Sequence, residues 1–462
     1  MIWLLLYIAL LLGIGVHHWR QHRPTLTGFL VYDRQAGGFS VAMSLVALAF
    51  GASSVFGLAG YAYQYNLNAL WWTLSGALFL VVLAYTFLDT VWTTQGYTLS
   101  DIIARVFGDD IRLLVSAVLF LAWLMVLAGQ IIAGGNILAR FVGGEAPGYA
   151  LFTLMFTAYT LLVGQAGTVK TGLLQVLVML AGLILLFGLC LSAAPVIAAA
   201  PHLHFGFDGT FTFSLFLSVF VPVGLSYLFG PDIYSRIFVA RDIASARRGL
   251  LLASALIVAI SLLIVLIGIL ARGLVSVERP DLTLQTLVAQ FFSGSLADFA
   301  LVALLSIPLS GADILLLTAG TLLGRDVLGY GLQRCGWTLG EAGQLWLIRG
   351  CMLLAALLAT LFALRLQAII PSLLIAYKVF SIGIVPLLFL ALLRLRRGVT
   401  ASASTASRLV AVYLLLAALA VLLVELKVLP LNLPNYNLYL LGGNTLLLAL
   451  LLRYEHAARP AH

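Results

Sequence analysis

The sequence predicts an all-α membrane protein with about 13 transmembrane helices, and its composition and hydropathy pattern are the basis for this fold class. Hydrophobic residues make up 63% of the 462 residues, charged residues only 9%, and the mean hydropathy is +1.11. A soluble domain is nearer half apolar and a quarter charged, so this chain has too few charges to cover a water-exposed surface. Apolar blocks of about twenty residues recur from end to end, as bilayer-spanning helices require. The alternating pattern of an outer-membrane barrel is absent from the sequence.

The apolar blocks define thirteen predicted spans. The first is preceded by no basic residue and followed by HHWRQHR, which predicts an uncleaved anchor with its N-terminus outside. With that orientation, nineteen of the 25 Lys and Arg residues fall on the cytoplasmic side, as the positive-inside rule requires. This distribution explains the net charge of +8 without nucleic acid as a partner. The spans are 2–17, 38–63, 68–88, 113–140, 149–163, 172–193, 213–230, 249–270, 296–323, 344–364, 369–393, 408–426 and 437–452.

The loops between the spans are too short to form a soluble core. We therefore predict a single transmembrane domain over 1–462 in the cell (inner) membrane. A leading helix and loop cover 1–36, a ten-helix core covers 37–398, and two peripheral helices follow a small-residue linker within 399–462. The three cysteines form no metal-binding or disulfide pattern, so no cofactor other than a transported ion is expected.

Two spans carry helix-breaking residues near their centres. Gly51-Ala52-Ser53-Ser54 interrupts the second span, and Val221-Pro222-Val223-Gly224 interrupts the seventh. Gly and Pro produce only a bend in most membrane helices, but these two spans lie five helices apart and cross the membrane in opposite directions. Interrupted helices at matching positions of two inverted halves are typical of a secondary transporter with a site at the midplane. The core is therefore predicted to be two inverted five-helix repeats.

Polar residues inside the ninth span indicate an ion site. Ser306, Ser310 and Asp313 share one helical face, and Pro308 frees a carbonyl on the preceding turn. Oxygen ligands of this kind suit a small hard cation, although a membrane serine often bonds back to its own helix. A buried carboxylate costs about 2.5–3.5 kcal/mol on insertion scales, so Asp313 is predicted to be functional.

Lys378 lies deep in the eleventh span, where an ammonium group needs a partner. Asp313, a carboxylate of the solute and a helix C-terminus are the candidate partners. Gln130 and Asn136 lie in the fourth span, where they either join helices or line a cavity, and joining helices is the favoured role for Asn136.

The chain resembles the sodium:solute symporter family from about Gly37 to the last helix. This family has a leucine-transporter-type inverted-repeat fold, which agrees with the repeat pattern above. Its carriers take proline, pantothenate, sugars, sialic acid or monocarboxylates. The stretches that carry the resemblance are GASSVFGLAGYAYQYNLNALWW (51–72), YTLSDIIARVFG (97–108), AGQIIAGGNILARFVGG (128–144), GPDIYSRIFVARDIASARRG (230–249) and SGADILLLTAGTLLGRDVL (310–328).

The resemblance implies a coupling-sodium site between the interrupted first core helix and the eighth. Its ligands would be the carbonyls of Ala52, Val55 and Ile307 and the hydroxyl of Ser310. The family usually supplies a second hydroxyl at the next position, where this chain has Gly311. Asp313, Ser53, Ser54 or a water would fill that gap, or a proton or the ammonium of Lys378 would replace the ion.

We therefore expect a non-enzymatic, cation-coupled symporter, with sodium as the favoured ion and a small polar organic solute as its partner. Tyr227 is the candidate inner gate. A membrane sensor with a separate signalling partner and a proton-coupled carrier are the alternatives. A respiratory proton-channel subunit and a membrane enzyme are disfavoured, because this chain has one buried Lys and no catalytic pattern. The residues expected to contact the solute are Ser53, Ser54, Phe56, Gln130, Pro222, Gly224 and Lys378.

The span count makes a prediction about topology. With an odd number of spans and the N-terminus outside, the C-terminus should lie in the cytoplasm. A fluorescent-protein fusion after His462 should fluoresce, and a phosphatase fusion at the same point should be inactive. An active phosphatase there would overturn both the thirteen-span count and the inverted-repeat assignment.

Overall fold

The computed structural model describes residues 2–21, 25–193, 203–366, 369–398 and 405–426, with 428, 439–447 and 450 nearer the carboxyl end. Within these ranges the chain is helical and forms no strand; an isolated bridge joins Ala36 and Ala240. The helices are α1 (Ile2–Gln21), α2 (Leu26–Val31), α3 (Gly38–Ala49), α4 (Leu58–Tyr65), α5 (Leu70–Thr86), α6 (Leu88–Thr93), α7 (Leu99–Phe107), α8 (Asp109–Val142), α9 (Glu145–Ala193), α10 (Phe213–Phe229), α11 (Pro231–Phe238), α12 (Ile243–Leu274), α13 (Thr283–Phe291), α14 (Gly294–Thr321), α15 (Tyr330–Arg334), α16 (Glu341–Leu366), α17 (Ile369–Val379), α18 (Val385–Arg396) and α19 (Thr405–Glu425).

Eight helical stretches among the described residues are long and apolar enough to cross a bilayer, and three shorter apolar helices accompany them. The predicted class of an all-α polytopic membrane protein is thereby confirmed. The helix α14 lies at the centre of the bundle, where it packs against α8, α9 and α16. The thirteen-span count and the two-repeat architecture stay predictions.

The first predicted interruption is present. Helix α3 ends at Ala49, Phe50 leaves helical geometry with φ −97° and ψ 52°, and the chain resumes as a π-helical turn over Ser53–Gly57 that leads into α4. A break at this depth frees backbone N–H and C=O groups that lipid cannot satisfy. Protein side chains must therefore bond to them.

The position predicted for the second interruption is wrong. Helix α10 runs unbroken through Pro222 and Gly224, and the chain leaves helical geometry only at Gly230, with φ −64° and ψ 137°. A proline inside a helix removes one donor and often only bends it. At Gly230 two preferences coincide, because glycine has a low helix propensity and Pro231, which follows it, fits the first position of a helix, here α11. Gly224 serves close packing, because a Cβ there would lie 2.6 Å from the Phe79 ring.

Helix α9 contains both the fifth and the sixth predicted spans. The two parts meet at Gly164, whose φ of +57° and ψ of −152° kink the helix. A side chain is strained at this φ, and a Cβ there would also collide with Phe29 of α2. The glycine therefore marks the boundary between the two spans.

The peripheral helix α19 packs against α17 and against the π-helical turn Phe380–Ile384 that joins α17 to α18. Contact is close, because a Cβ on Gly383 would collide with Ala418. The side-chain amide of Asn444 donates to the carbonyl of Ile382, 2.9 Å away. Residues beyond the core therefore satisfy a carbonyl of this turn.

Lys378 belongs to the same contact between core and peripheral helices. Its Nζ lies 2.7 Å from Oε1 of Glu425 at the end of α19, and the two side chains are 26% and 18% exposed. This partner differs from those predicted, because neither Asp313 nor a helix C-terminus receives this bond. The ammonium therefore links α17 to α19.

The Lys378–Glu425 pair gives a prediction for stability. Each single variant, Lys378→Met or Glu425→Gln, leaves the other charge without this partner in apolar surroundings and should lower the melting temperature of the purified protein. The double variant should be more stable than the sum of the single losses predicts, by about 1 kcal/mol of coupling. Additive losses would show that the two charges do not stabilise one another.

Candidate functional site

The side chain of Gln130 organises the first interruption. Its Oε1 accepts a hydrogen bond of 2.8 Å from the N–H of Ala52, one of the donors freed where α3 ends. The amide occupies a slot between two glycines. A Cβ on Gly51 would lie 2.7 Å from Gln130 Nε2, and a Cβ on Gly311 would lie 3.0 Å from its Cδ. A side chain at either position would collide with the amide group of Gln130 on α8, so both positions need glycine.

Ser310 joins the interrupted helix to α14. Its hydroxyl oxygen lies 3.0 Å from the carbonyl oxygen of Ala47 and 2.8 Å from that of Ile307, and the two carbonyls share its one proton. In an unbroken helix Ala47 would accept from the N–H of residue 51, which lies past the end of α3. The predicted ion ligands Ala52, Val55, Ile307 and Ser310 are all at most 3% exposed. This arrangement brings hydroxyl and carbonyl oxygens together inside the bundle. Oxygen atoms are the ligands that a small hard cation prefers.

Asp313 lies one turn beyond Ser310 and is 1% exposed. Among the described residues neither of its carboxylate oxygens has a hydrogen-bond partner with good geometry, although the Gln175 amide lies nearby. Its electrostatic partner is Arg236 of α11, and the hydroxyls of Tyr7 and Tyr159 are within reach of its charge. Asp313 therefore belongs to a buried polar group with Arg236, Tyr7 and Tyr159.

A small cavity lies where the two interruptions meet. Its volume is about 40 Å³, which is room for about three waters. Gly51 and Ser54 border it at the first interruption, and Asp232 and Ile233 border it just after the second. The remaining lining residues are Leu48, Ala49, Trp123, Val126, Gln130, Ser226, Tyr227, Gly311, Leu315, Leu373 and Tyr377.

The structure brings only some of the predicted solute contacts to this cavity. Ser54 and Gln130 line it, as does the predicted gate residue Tyr227, whereas the fully buried Phe56 does not. Ser53 lies in the π-helical turn, and its side chain is outside the described residues. Neither Pro222 nor Gly224 borders the cavity, because the chain opens at Gly230 instead; Lys378 also lies elsewhere.

Four polar or aromatic lining residues escaped the sequence prediction. The Gly230-Pro231 pair was the available signal for Asp232, because the residue before a proline favours extended geometry. Trp123, Ser226 and Tyr377 gave no signal that separates them from ordinary residues of apolar helices. Their position depends on how the helices pack.

The predicted gate residue Tyr227 is 8% exposed and lies between α10 and α5. A Cβ on Gly76 of α5 would lie 2.8 Å from its ring, so the glycine leaves the space that the ring fills. Its hydroxyl lies beside Ser54. Movement of α10 against α5 would therefore move a wall of the cavity.

A charged network closes the end of α14 that is predicted to be cytoplasmic. Arg325 Nη1 lies 3.0 Å from Asp101 Oδ2 and 2.8 Å from Asp326 Oδ1, and Thr98 donates to Asp326 Oδ2 at 2.7 Å. Burial would raise the pKa of the Asp101 carboxyl, but Arg325 and the N–H groups of Tyr97 and Thr98 together hold it below its usual value. The network thus ties α7 to the end of α14 through ionised groups.

The opposite side is covered by aromatic rings. Trp71 at the start of α5 stacks on Phe205 with ring centres 5.4 Å apart, and its edge contacts involve Phe216 and Phe220 of α10. These contacts hold the loop that precedes α10 over the start of α5.

The Gln130 slot predicts the effect of restoring the family hydroxyl. Gly311→Thr alone should lower uptake, because the new side chain has to displace the Gln130 amide that bonds to Ala52. The double variant Gln130→Ala/Gly311→Thr has room for the hydroxyl and should need less sodium for half-maximal uptake than Gln130→Ala. Gly350→Ala is a matched control, since a Cβ at that helical glycine meets nothing within 4 Å. Full activity in Gly311→Thr would show that Gln130 is not confined.

Comparison with known proteins agrees with the fold. The model of the sodium:solute symporter family matches residues 29–402. The sodium/pantothenate symporter of Haemophilus influenzae is 25% identical over 346 residues, which cover 70% of this chain and 71% of that protein. The sodium/myo-inositol cotransporter 2 of Bos taurus is 27% identical over 196 residues, 41% of this chain and 29% of its own length.

A solved structure extends the comparison to the fold of the whole chain. The substrate-bound, outward-open structure of a Na⁺-coupled sialic acid symporter superposes with a TM-score of 0.77, at 15% identity, over 97% of this chain and 96% of that one. At this identity the likeness concerns the fold alone. Because the family model spans most of the sequence, the chain belongs to the sodium:solute symporter family.

Proposed function

We propose that this protein carries sodium and a small polar organic solute together across the membrane by alternating access. The observation that carries the proposal is that residues at both helix interruptions border one cavity. Interrupted helices place free backbone groups and helix ends around a substrate at the midplane of such carriers. The two interruptions would then belong to corresponding helices of two inverted five-helix repeats within 37–398.

The coupling sodium would lie between α3 and α14. The carbonyls of Ala52, Val55 and Ile307 and the hydroxyl of Ser310 would be its ligands, and the contacts of Ser310 to Ala47 and Ile307 support this position. Three carbonyls and one hydroxyl are few ligands for a hard cation. Because Gln130 fills the space beside Gly311, a water or Ser54 would have to complete the coordination, and we expect weak sodium affinity.

The solute would occupy the cavity in a more open state. About 40 Å³ does not hold an organic molecule, so binding requires the cavity to widen by movement of its wall at Tyr227. Inward movement of one positive charge releases about 2.3 kcal/mol per 100 mV. That energy supports roughly fifty-fold accumulation of solute before any sodium gradient is counted.

A proton is the second candidate for the coupling ion, and Asp313 is the observation that favours it. A buried carboxylate without a well-placed hydrogen bond can take up a proton in place of a metal ion. Arg236 opposes that uptake, because its positive charge stabilises the ionised carboxylate. We therefore place sodium first.

The sodium assignment is tested at Ser310. Ser310→Ala removes the one matched side-chain ligand and should raise the sodium concentration for half-maximal uptake about tenfold in proteoliposomes. Thr321→Val is the matched control, because this buried threonine of the same helix donates to Leu317 of its own backbone at 2.7 Å. Uptake that ignores sodium in the parent and in both variants, but follows an imposed pH gradient, would transfer the coupling role to Asp313. Binding of solute without any uptake would favour a sensor.

A further inference from the structure

Asp232 is the charged side chain among the described residues that line the cavity. It lies in the first turn of α11, immediately after the extended residue Gly230 and the helix-starting Pro231. Its Oδ1 accepts a hydrogen bond of 3.1 Å from the N–H of Ile233. The second helix interruption therefore brings a carboxylate to the wall of the solute cavity.

The positive group nearest in the sequence to Asp232 does not neutralise it fully. Arg236, one turn further along α11, is 0% exposed and forms no ion pair within 4 Å among the described residues. Its guanidinium interacts with two carboxylates, Asp313 more strongly than Asp232. Nη1 lies 3.4 Å from Thr168 Oγ1, whereas Nε and Nη2 have no hydrogen-bond partner. The guanidinium is thus shared between Asp313 and Asp232, and it forms no ion pair with the carboxylate at the cavity.

The other walls of the cavity are neutral. Gln130 faces Asp232 from α8, Ser54 from the first interruption, Ser226 and Tyr227 from α10, and Tyr377 from α17. Trp123, Tyr227 and Tyr377 present aromatic rings, which attract cations through their faces. A carboxylate surrounded by hydroxyls and aromatic rings is a suitable environment for a positively charged nitrogen.

Because like charges repel strongly in a medium of low dielectric constant, an anionic solute would be excluded from a cavity that already contains a carboxylate. A positively charged solute would be attracted by the Asp232 carboxylate, which has no direct ion pair with Arg236. Sodium at the proposed site beside Ser310 would weaken the repulsion of an anionic solute. Asp232 would still be available to bind a positively charged group of the solute.

We propose that Asp232 selects solutes that carry a positively charged nitrogen, as primary or quaternary amines do, and rejects solutes whose only charge is a carboxylate. This inference rests on the proposed function, because it takes the cavity to be the solute site. It assigns to Asp232 the role of specificity-determining residue, with its carboxylate as the direct partner of the ammonium group.

Thermal-shift measurements on the purified protein in sodium buffer test this assignment. The probes are ethanolamine, choline, betaine, putrescine and agmatine, the neutral alcohol 3,3-dimethylbutan-1-ol as the uncharged isostere of choline, myo-inositol, and pantothenate as an anion. At least one amine should stabilise the parent protein, and pantothenate should not. The affinity of that amine should fall at least tenfold in Asp232→Asn, while the neutral probes keep their affinity. Glu278→Gln removes an exposed carboxylate that does not line the cavity. This variant should behave as the parent.

Several outcomes would overturn the assignment. They are stabilisation of the parent by pantothenate, amine affinity unchanged in Asp232→Asn, no response to any amine, or loss of sodium affinity in Asp232→Asn with unchanged amine preference. If Asp232→Asn proves too unstable to measure, Asp232→Glu provides the second variant, and it should retain the preference for amines over pantothenate. Uptake of the same probes separates the two proposals. Amine binding without sodium-driven uptake would refute symport alone, and sodium-driven uptake of pantothenate would refute the selectivity alone.

Discussion

The hydrogen bond from the N–H of Ala52 to the side chain of Gln130 is the contact on which the centre of the molecule depends. A helix that stops in the middle of a bilayer leaves backbone donors without water, and each unsatisfied donor costs several kcal/mol. Gln130 supplies the acceptor from α8, 78 residues away in the sequence. Gly51 and Gly311 lack side chains at the two places where the amide lies against the backbone, so one bond accounts for three unusual residues.

The same amide explains how this chain departs from the pattern of its family. A second hydroxyl on α14 and the Gln130 amide need the same space, and the chain has the amide. Ser310 retains its carbonyl contacts to both helices, so the connection between α3 and α14 survives without the neighbouring hydroxyl. In the proposed sodium site, fewer oxygen ligands therefore remain for the ion.

Charges inside the bundle are arranged around α11 and α14. Arg236 is fully buried and interacts with Asp232 on the cavity side and Asp313 on the other. The Lys378–Glu425 pair is more exposed and holds a peripheral helix against α17, whose Leu373 and Tyr377 line the cavity. Buried charges in membrane proteins are typical of functional sites or of specific helix contacts. Here the group around Arg236 includes a residue of the cavity wall, whereas the Lys378–Glu425 pair joins two helices.

Composition and hydropathy alone determined the membrane class, because crossing a bilayer requires long apolar helices whatever their arrangement. The local sequence also predicted the break at Gly51 and the polar face of α14 that carries Ser310. Five sequence stretches indicated the family. The tertiary structure decided the rest. It moved the second break from Pro222, which α10 accommodates in its interior, to Gly230, where a glycine with a low helix propensity precedes a proline that fits the first turn of α11. It paired Lys378 with Glu425, 47 residues away, and placed Asp232 at the cavity. Such pairings depend on how helices pack, and no local pattern encodes that.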